Sequence, residues 1–219
     1  MVNGIAALPK STTAVEVPLG PDDAWLLCDT GDSGPHIALG TDEPGIRGLF
    51  RFRPETALPM NQLCDVLLCG DNTLTRAERE LIATYVSSLN QCRFCFRTHA
   101  AFAAVRLEEG MTLVRQVCDD LDTAPVTDKM RALLRIAGSV QRGGRSVTAE
   151  QVAAARAADA TDVEIHDTVL IAAAFCMFNR YVDGLATFAP DDPAVYADRA
   201  ARTEGYVAVL ADSLEKVSG

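Results

Sequence analysis

From Pro59 to the C-terminus the sequence has the pattern of helices almost without interruption, which leaves few folds open to a chain of 219 residues. Three segments begin with threonine and place glutamate or glutamine three residues later, at Thr75, Thr148 and Thr161. This spacing is typical of a capping box, in which both side chains bond free N–H groups at a helix N-terminus. After residue 44 the sequence indicates neither hairpin turns nor alternating strands and helices. The fold is therefore predicted to be all-α, a helical bundle.

The sequence pattern divides the chain into three parts. Residues 1–43 are rich in Gly, Pro, Asp and Thr and are predicted to form an irregular N-terminal arm, whose apolar runs at 25–28 and 36–39 are compatible with a small hairpin. Residues 44–190 are predicted to be the helical domain, and residues 191–219 a C-terminal helix for packing or oligomerisation. The predicted helices cover about 59–68, 75–89, 92–106, 112–120, 127–141, 149–158, 162–186 and 194–216.

Charge and cysteine content narrow the function. The formal net charge of −10 repels nucleic-acid phosphates and anionic lipid, so neither nucleic acid nor a membrane is expected as a partner. No signal peptide is indicated after Met1, and the longest apolar stretch, 169–178, is too short to span a bilayer. The seven cysteines are an odd number, which argues against a disulfide framework. These features predict a cytoplasmic protein.

Cys92 and Cys95, which lie three residues apart at the start of a predicted helix, form the clearest candidate site. Free N–H groups and the positive end of the helix dipole favour a thiolate there, and Arg93 and Arg97 add positive charge. At about 100° per residue, His99 shares a sector of about 60° with both cysteines. An imidazole near a thiol can accept its proton and later return one to a leaving group. The pattern therefore favours redox chemistry.

Two other interpretations of the cysteine pair stay open. A zinc site needs four ligands, and neither His36 nor His166 has a cysteine at ligand spacing, so no metal is expected. Two inert core cysteines would leave His99 as a buried polar group that needs an unrelated partner. The cysteines outside the pair that are expected to be structural are Cys64, Cys69, Cys118 and Cys176.

Glu80 lies roughly opposite the apolar face of its predicted helix, where a solvent-exposed carboxylate is the ordinary interpretation. Its own face carries the small residues Ala83, Thr84 and Ser87, which would let another helix approach closely. If the dithiol helix packs there, Glu80 faces the thiols; the sequence leaves both alternatives open. His166, on the late predicted helix, is expected to be a polar core or interface residue. A polar cluster on the same helix is expected to form an interhelical hydrogen-bond or salt-bridge network, or else a pocket wall or subunit contact near the dithiol: Asn179, Arg180, Tyr181 and Asp183.

The residues of the candidate site match a known signature when they are taken together. They are Glu80, eleven intervening residues, Cys92-x-x-Cys95, three more residues and His99. This arrangement resembles the active-site signature of the alkylhydroperoxidase D / carboxymuconolactone decarboxylase-like superfamily. Segments that resemble its peroxidase-related branch are 44–50, 53–56, 74–82 and 175–180. The resemblance covers residues 44–190 and implies an all-α, AhpD-like helical bundle that assembles into dimers, trimers or hexamers.

The resemblance also implies an activity, the reduction of hydroperoxides. Cys95 would be the peroxidatic cysteine, which the peroxide oxidises to a sulfenic acid, and Cys92 would resolve it as a Cys92–Cys95 disulfide. His99 and Glu80 would form the proton relay. An external dithiol of the lipoyl or thioredoxin type would be the reductant, and no cofactor is expected. Helix geometry alone indicates instead that Cys92, nearer the helix start, is the more acidic thiol.

Phe94 is a departure from alkylhydroperoxidase D itself, in which a histidine precedes the second cysteine. The relay would therefore be shorter and the site more apolar. Decarboxylation of a carboxymuconolactone is not expected, because that branch lacks the redox pair that this chain keeps. A thiol-dependent peroxidase is the leading hypothesis. Dithiol–disulfide exchange, a biosynthetic reaction on the same thiols and a non-enzymatic redox sensor are the alternatives.

Overall fold

A computed structural model describes residues 34–207, and the regular structure within this range is helical, which confirms the predicted all-α fold. The α-helices, numbered in chain order, are α1 (Ile46–Phe52), α2 (Pro54–Cys64), α3 (Arg76–Leu89), α4 (Arg93–Ala104), α5 (Met111–Asp119), α6 (Asp128–Arg142), α7 (Ala149–Ala157), α8 (Asp162–Gly184) and α9 (Pro193–Arg202). A π-helical turn, Asp65–Cys69, continues α2, and a 3₁₀ turn, Gly144–Ser146, follows α6. No helix in the described range is long and apolar enough to cross a membrane.

Side-chain caps explain where several of these helices begin. At α3, α7 and α8 both halves of the capping box form: the threonine side chain accepts from the third N–H, and the third side chain accepts from the threonine N–H. Thr127 and Asp192 cap α6 and α9 with the side chain alone. The three predicted capping boxes are therefore confirmed. They are Thr75 with Glu78, Thr148 with Gln151, and Thr161 with Glu164.

The predicted start of the first helix at residue 59 is wrong. Helix α2 begins five residues earlier, at Pro54, because a proline in the first turn has no N–H that the helix would use. Pro59 lies inside the helix, and α1, which the apolar periodicity did not indicate, precedes it. The predicted helix end at residue 68 lies close to the observed one, because the π-helical turn continues the helix to Cys69 and Gly70 ends it.

The helix predicted over 194–216 is interrupted, and this changes the site. It leaves helical geometry at 203–205, and a new helical turn begins at Tyr206. The carboxylate of Asp65 causes the break, because it accepts the N–H groups of Tyr206 and Val207 at 2.5 and 3.0 Å and so caps a second helix start. The part of that prediction beyond residue 207 lies outside the described residues.

Helix α3 lies at the centre of the bundle and packs against α4, α6 and α8. The apolar core between these helices is closed by side chains that have almost no exposure. The largest of them are Phe102, Phe175, Leu81, Ile82, Leu133, Leu134, Ile136 and Ile171. Helix α9 packs on α4, so the C-terminal segment covers the helix that carries the cysteine pair. The core therefore surrounds the candidate site on several sides.

Residues 34–45 have neither helix nor strand and run beside the chain that follows α8. The N–H of His36 donates to the carbonyl of Leu185, and the N–H of Gly45 donates to the carbonyl of Phe188, both at 3.0 Å. Gly45 has a φ of 56°, and a Cβ at this position would overlap the ring of Phe94, so glycine is required here. The apolar run predicted at 25–28 lies outside the described residues.

Glu164, at the start of α8, holds three parts of the fold together. Its buried carboxylate accepts hydrogen bonds from the Thr161 N–H at 2.7 Å, the Thr73 hydroxyl at 2.8 Å and Lys129 Nζ at 2.9 Å. Burial by itself raises the pKa of Glu164, but these hydrogen bonds outweigh it and lower the pKa to about 2. The folded state therefore favours the ionised carboxylate.

Acid is expected to weaken the fold through Glu164. Because the pKa of this carboxyl is lowered on folding, its contribution is present above the ordinary pKa of 4.5 and is lost as the pH falls toward about 2. The wild type should lose roughly 2–3 kcal/mol of unfolding free energy through this group over that range. Urea unfolding across that range measures it, and Glu164→Gln should show a flatter pH dependence. The exposed control Glu109→Gln should follow the wild type; a parallel curve for Glu164→Gln would contradict the assignment.

Candidate active site

Glu80 faces the dithiol helix and is fully buried, so the alternative of a solvent-exposed carboxylate is excluded. The small residues on its face, including Ala83 and Ser87, are also buried and let α4 pack closely on α3. Glu80 Oε2 lies 2.8 Å from Nδ1 of His99, one of the shortest polar contacts in the core. A buried carboxylate that accepts from an imidazole N–H fixes the orientation of the ring and leaves Nε2 to exchange protons.

Tyr206 completes this buried group, and sequence analysis missed it. Its hydroxyl donates to Oε1 of Glu80 at 2.8 Å and lies 3.4 Å from Nδ1 of His99. Its ring lies nearly parallel to the imidazole, with 6.0 Å between ring centroids. Burial, followed by the nearby carboxylate, raises the pKa of Tyr206 well above its ordinary value. Tyr206 therefore serves as a neutral hydrogen-bond donor that satisfies the second oxygen of Glu80.

Aromatic rings enclose the imidazole of His99. Phe175 meets it edge to face with 4.5 Å between centroids, and Phe102 does so at 5.8 Å. These rings keep bulk water away from the Glu80–His99 contact, which strengthens the electrostatic interaction between the two groups. The imidazole of His99, which can exchange protons, is therefore held in one orientation.

A sharp turn between α3 and α4 positions the two cysteines. Gln91 has a φ of 56°, and the N–H of Cys92 donates to the carbonyl of Ser87 at 3.0 Å. Cys92 is the N-cap residue of α4 and Cys95 is the third residue of the helix. Both sulfurs therefore lie at the N-terminal end of α4, as the sequence predicted.

The two thiols differ in their surroundings. A hydrogen bond from its thiol to Cys95, followed by burial, raises the pKa of Cys92, and the negative charge of Asp183 acts in the same direction. The folded structure therefore favours the protonated form of Cys92. The raised pKa of Cys92 opposes the effect that helix position alone predicts for this thiol. Position within the first turn is outweighed by the hydrogen bond between the sulfurs and by the loss of water around Cys92.

Cys95 opens on a cavity of about 70 Å³, whereas Cys92 is fully buried and is not among the residues that line it. His99 and Tyr206 line the same cavity. Its walls are mostly apolar, formed by Ile46, Phe50, Phe94, Phe175 and Phe178. A molecule in this cavity can therefore reach the sulfur of Cys95 and the imidazole of His99, whereas Cys92 lies outside the lining.

Other sequence predictions for this region had mixed outcomes. Cys64, expected to be isolated, lines the cavity with Cys95, and burial, followed by the charge of Glu80, raises its pKa. His166, expected in the core or at an interface, is exposed and bonds to Asp167 at 2.8 Å, because it lies on the outer face of α8. No group of three or more histidine, cysteine or carboxylate side chains within residues 34–207 is arranged to hold a metal ion.

The predicted polar network on α8 is confirmed for Asn179. Its side chain accepts from Asn90 Nδ2 at 2.8 Å and donates to the Ser87 hydroxyl at 3.2 Å, so it ties α8 to the turn that precedes Cys92. Burial raises the pKa of Asp183, and the neighbouring Cys92 thiol acts in the opposite direction. The network therefore joins α8 to the turn that positions Cys92.

Comparison with known proteins places this geometry in context. Residues 54–112, from the start of α2 to the start of α5, match the model of the carboxymuconolactone decarboxylase family. All four predicted site residues lie within this segment. Among solved structures, the alkylhydroperoxidase AhpD core of an uncharacterized peroxidase-related protein from Ralstonia eutropha JMP134 is similar, with a TM-score of 0.63 and 26% identity over 70% of this chain and 79% of that chain.

An uncharacterized peroxidase-related protein from Silicibacter sp. TM1040 is similar to the same degree, with a TM-score of 0.63 and 25% identity over 70% of this chain and 78% of that chain. The family match and the two structural neighbours support the predicted resemblance to the alkylhydroperoxidase D / carboxymuconolactone decarboxylase-like superfamily. No curated protein matches the chain. Tyr206 lies far outside the segment that matches the superfamily's decarboxylase model, so the C-terminal region adds a residue to the site.

Proposed function

We propose that this chain reduces organic hydroperoxides by a two-cysteine mechanism and is regenerated by an external dithiol. The observation that carries the proposal is the shared cavity. Cys95 and His99, one helical turn apart on α4, both open on it, and Glu80 lies behind the imidazole at 2.8 Å. An apolar cavity that exposes the Cys95 thiol beside the His99 imidazole is suited to a small hydroperoxide.

In the first step, the thiolate of Cys95 attacks the outer oxygen of the hydroperoxide. A sulfur–oxygen bond forms, the oxygen–oxygen bond breaks, and Cys95 becomes a sulfenic acid. His99 accepts the thiol proton and delivers it to the alkoxide, which leaves as the alcohol. Glu80 stabilises the imidazolium that exists between the two transfers, and Tyr206 keeps the second oxygen of that carboxylate bonded.

In the second step, the sulfur of Cys92 attacks the sulfur of the Cys95 sulfenic acid. The disulfide forms, the sulfur–oxygen bond breaks, and hydroxide leaves with the Cys92 proton as water. One hydroperoxide and two thiols thus give one alcohol, one water and one disulfide.

Regeneration needs a dithiol that attacks the disulfide and leaves oxidised itself. Because Cys92 is fully buried and Cys95 opens on the cavity, the incoming thiolate reaches the disulfide at Cys95. The Cys92 sulfur then leaves and regains its proton. A second attack within the reductant frees Cys95 as a thiol, which returns the pair to its starting state.

The test is thiol trapping and mass spectrometry after brief exposure to cumene hydroperoxide. A Cys92–Cys95 disulfide should form within the first turnover, together with one equivalent of the alcohol. Cys118→Ser, which alters a cysteine of α5 outside the cavity, should behave like the wild type. If the disulfide forms only slowly with peroxide but rapidly with a small disulfide, the chain is an exchanger. If neither cysteine reacts preferentially, the proposed function is refuted.

A further inference from the structure

The mouth of the cavity is cationic although the chain as a whole is acidic. Three guanidinium groups, those of Arg47, Arg51 and Arg199, line it together with one carboxylate, that of Glu43. Glu43 forms ion pairs with both Arg47 and Arg51. One carboxylate therefore offsets part of the positive charge. Because the whole chain has a formal net charge of −10, the positive charge at this mouth is local to the cavity.

Arg199 differs from the other two arginines in its partners. Within residues 34–207 its guanidinium has no ion pair with a carboxylate, whereas Arg47 and Arg51 pair with Glu43. Its Nε, like that of Arg47, is buried without a hydrogen-bond partner. Burial, followed by repulsion from Arg47, lowers the pKa of Arg199 to about 10, so it stays cationic at neutral pH. A buried guanidinium nitrogen without an acceptor is costly to keep, and an anionic ligand would remove that cost.

The remaining walls define the other half of a ligand. The apolar rings of Phe50, Phe94 and Phe178 share the lining of one cavity of about 70 Å³ with the arginines and with Cys95. This volume admits a compact apolar group and excludes a long folded chain. A molecule that fits both halves is short, has an apolar body, and carries a negative charge at one end.

We propose that the substrates are compact organic hydroperoxides that carry a carboxylate. Arg199, aided by Arg47, binds the carboxylate at the mouth, and the apolar rings hold the body so that the hydroperoxide reaches Cys95. A planar guanidinium can donate two parallel hydrogen bonds to a carboxylate, which fixes the far end of the molecule. This proposal rests on the proposed function and adds its substrate class. The redox step is the one given above, and the carboxylate takes no part in it.

A matched pair of peroxides tests the proposal: tert-butyl hydroperoxide and 3-hydroperoxy-3-methylbutanoate, which is the same molecule with one added carboxylate. The wild type should prefer the acid by roughly 10- to 100-fold in kcat/KM, the effect of a charge-assisted hydrogen bond. In Arg199→Gln this ratio should fall to roughly 1 to 3, and Arg199→Lys should recover part of it. Arg202→Gln, which alters an exposed arginine of the same helix, should keep the wild-type ratio.

A binding experiment separates failure of this proposal from failure of the proposed function. Cys95→Ser is titrated by calorimetry with 3-hydroxy-3-methylbutanoate, the product alcohol, and with tert-butanol. If Cys95→Ser binds the acid and this binding is lost when Arg199→Gln is added, the carboxylate site is supported. If in addition neither peroxide oxidises the thiols of the wild type, peroxide reduction is refuted and the carboxylate site still stands. Rapid reduction of both peroxides at equal kcat/KM, or an unchanged ratio in Arg199→Gln, would overturn the carboxylate site and leave peroxide reduction standing.

Discussion

Serine in place of Cys95 is expected to abolish peroxide reduction, whereas serine in place of Cys92 should still permit a single oxidation. Cys95 is the member of the pair that opens on the cavity, so in the proposed mechanism its loss removes the nucleophile and should slow the reaction by at least roughly 10³-fold. In Cys92→Ser the sulfenic acid on Cys95 has no resolving thiol. It should therefore accumulate to one equivalent.

Stopped-flow measurement of peroxide consumption, followed by dimedone labelling and mass spectrometry, distinguishes these outcomes. The label should appear on Cys95 in the Cys92→Ser variant and be nearly absent from the wild type, where the disulfide forms. Cys64 also lines the cavity, so peptide mapping must show that it is unlabelled. Cys118→Ser serves as the control for loss of a thiol elsewhere. If Cys95→Ser consumed peroxide at the wild-type rate and the label appeared on Cys92, the assigned order of the two thiols would be reversed.

Glu80→Gln should produce the second large loss, with little change in shape. The carboxylate accepts from both the imidazole of His99 and the hydroxyl of Tyr206. An amide keeps the acceptor for Tyr206 but turns its NH₂ toward His99, which moves the ring proton to Nε2. The nitrogen that should accept the Cys95 proton is then already protonated. We expect the first-turnover rate to fall by roughly 10²- to 10⁴-fold, the range for loss of a general base.

Single-turnover oxidation of the thiols by cumene hydroperoxide measures this effect, with circular dichroism to show that the bundle is intact. Tyr206→Phe is the milder counterpart, since it removes one donor from the same carboxylate. It should lower the unfolding free energy by about 1–3 kcal/mol and reduce the rate less than Glu80→Gln does. Glu109→Gln, on the surface, should change neither quantity. A folded Glu80→Gln variant with the wild-type rate would remove Glu80 from the mechanism.

The helical fold was predictable because its signals are local. A capping box needs only Thr75 and Glu78, and an apolar face repeats every three to four residues, so both can be recognised without knowing the neighbours of a helix. The same holds for the face shared by Cys92, Cys95 and His99, which follows from helix geometry alone. The false start at Pro59 arose because Pro54, the residue that begins α2, is equally suited to a first turn.

The sequence by itself thus determined an all-α bundle and a helix edge that carries two thiols and an imidazole. Only the tertiary structure decided that Glu80 is buried against His99, that Cys95 rather than Cys92 opens on the cavity, and that Tyr206 joins them. These outcomes depend on contacts between residues up to 126 positions apart. The strongest example is Asp65, which breaks the C-terminal helix by capping Tyr206 across 141 positions, because hydrogen bonds of that separation leave no periodic trace in a sequence.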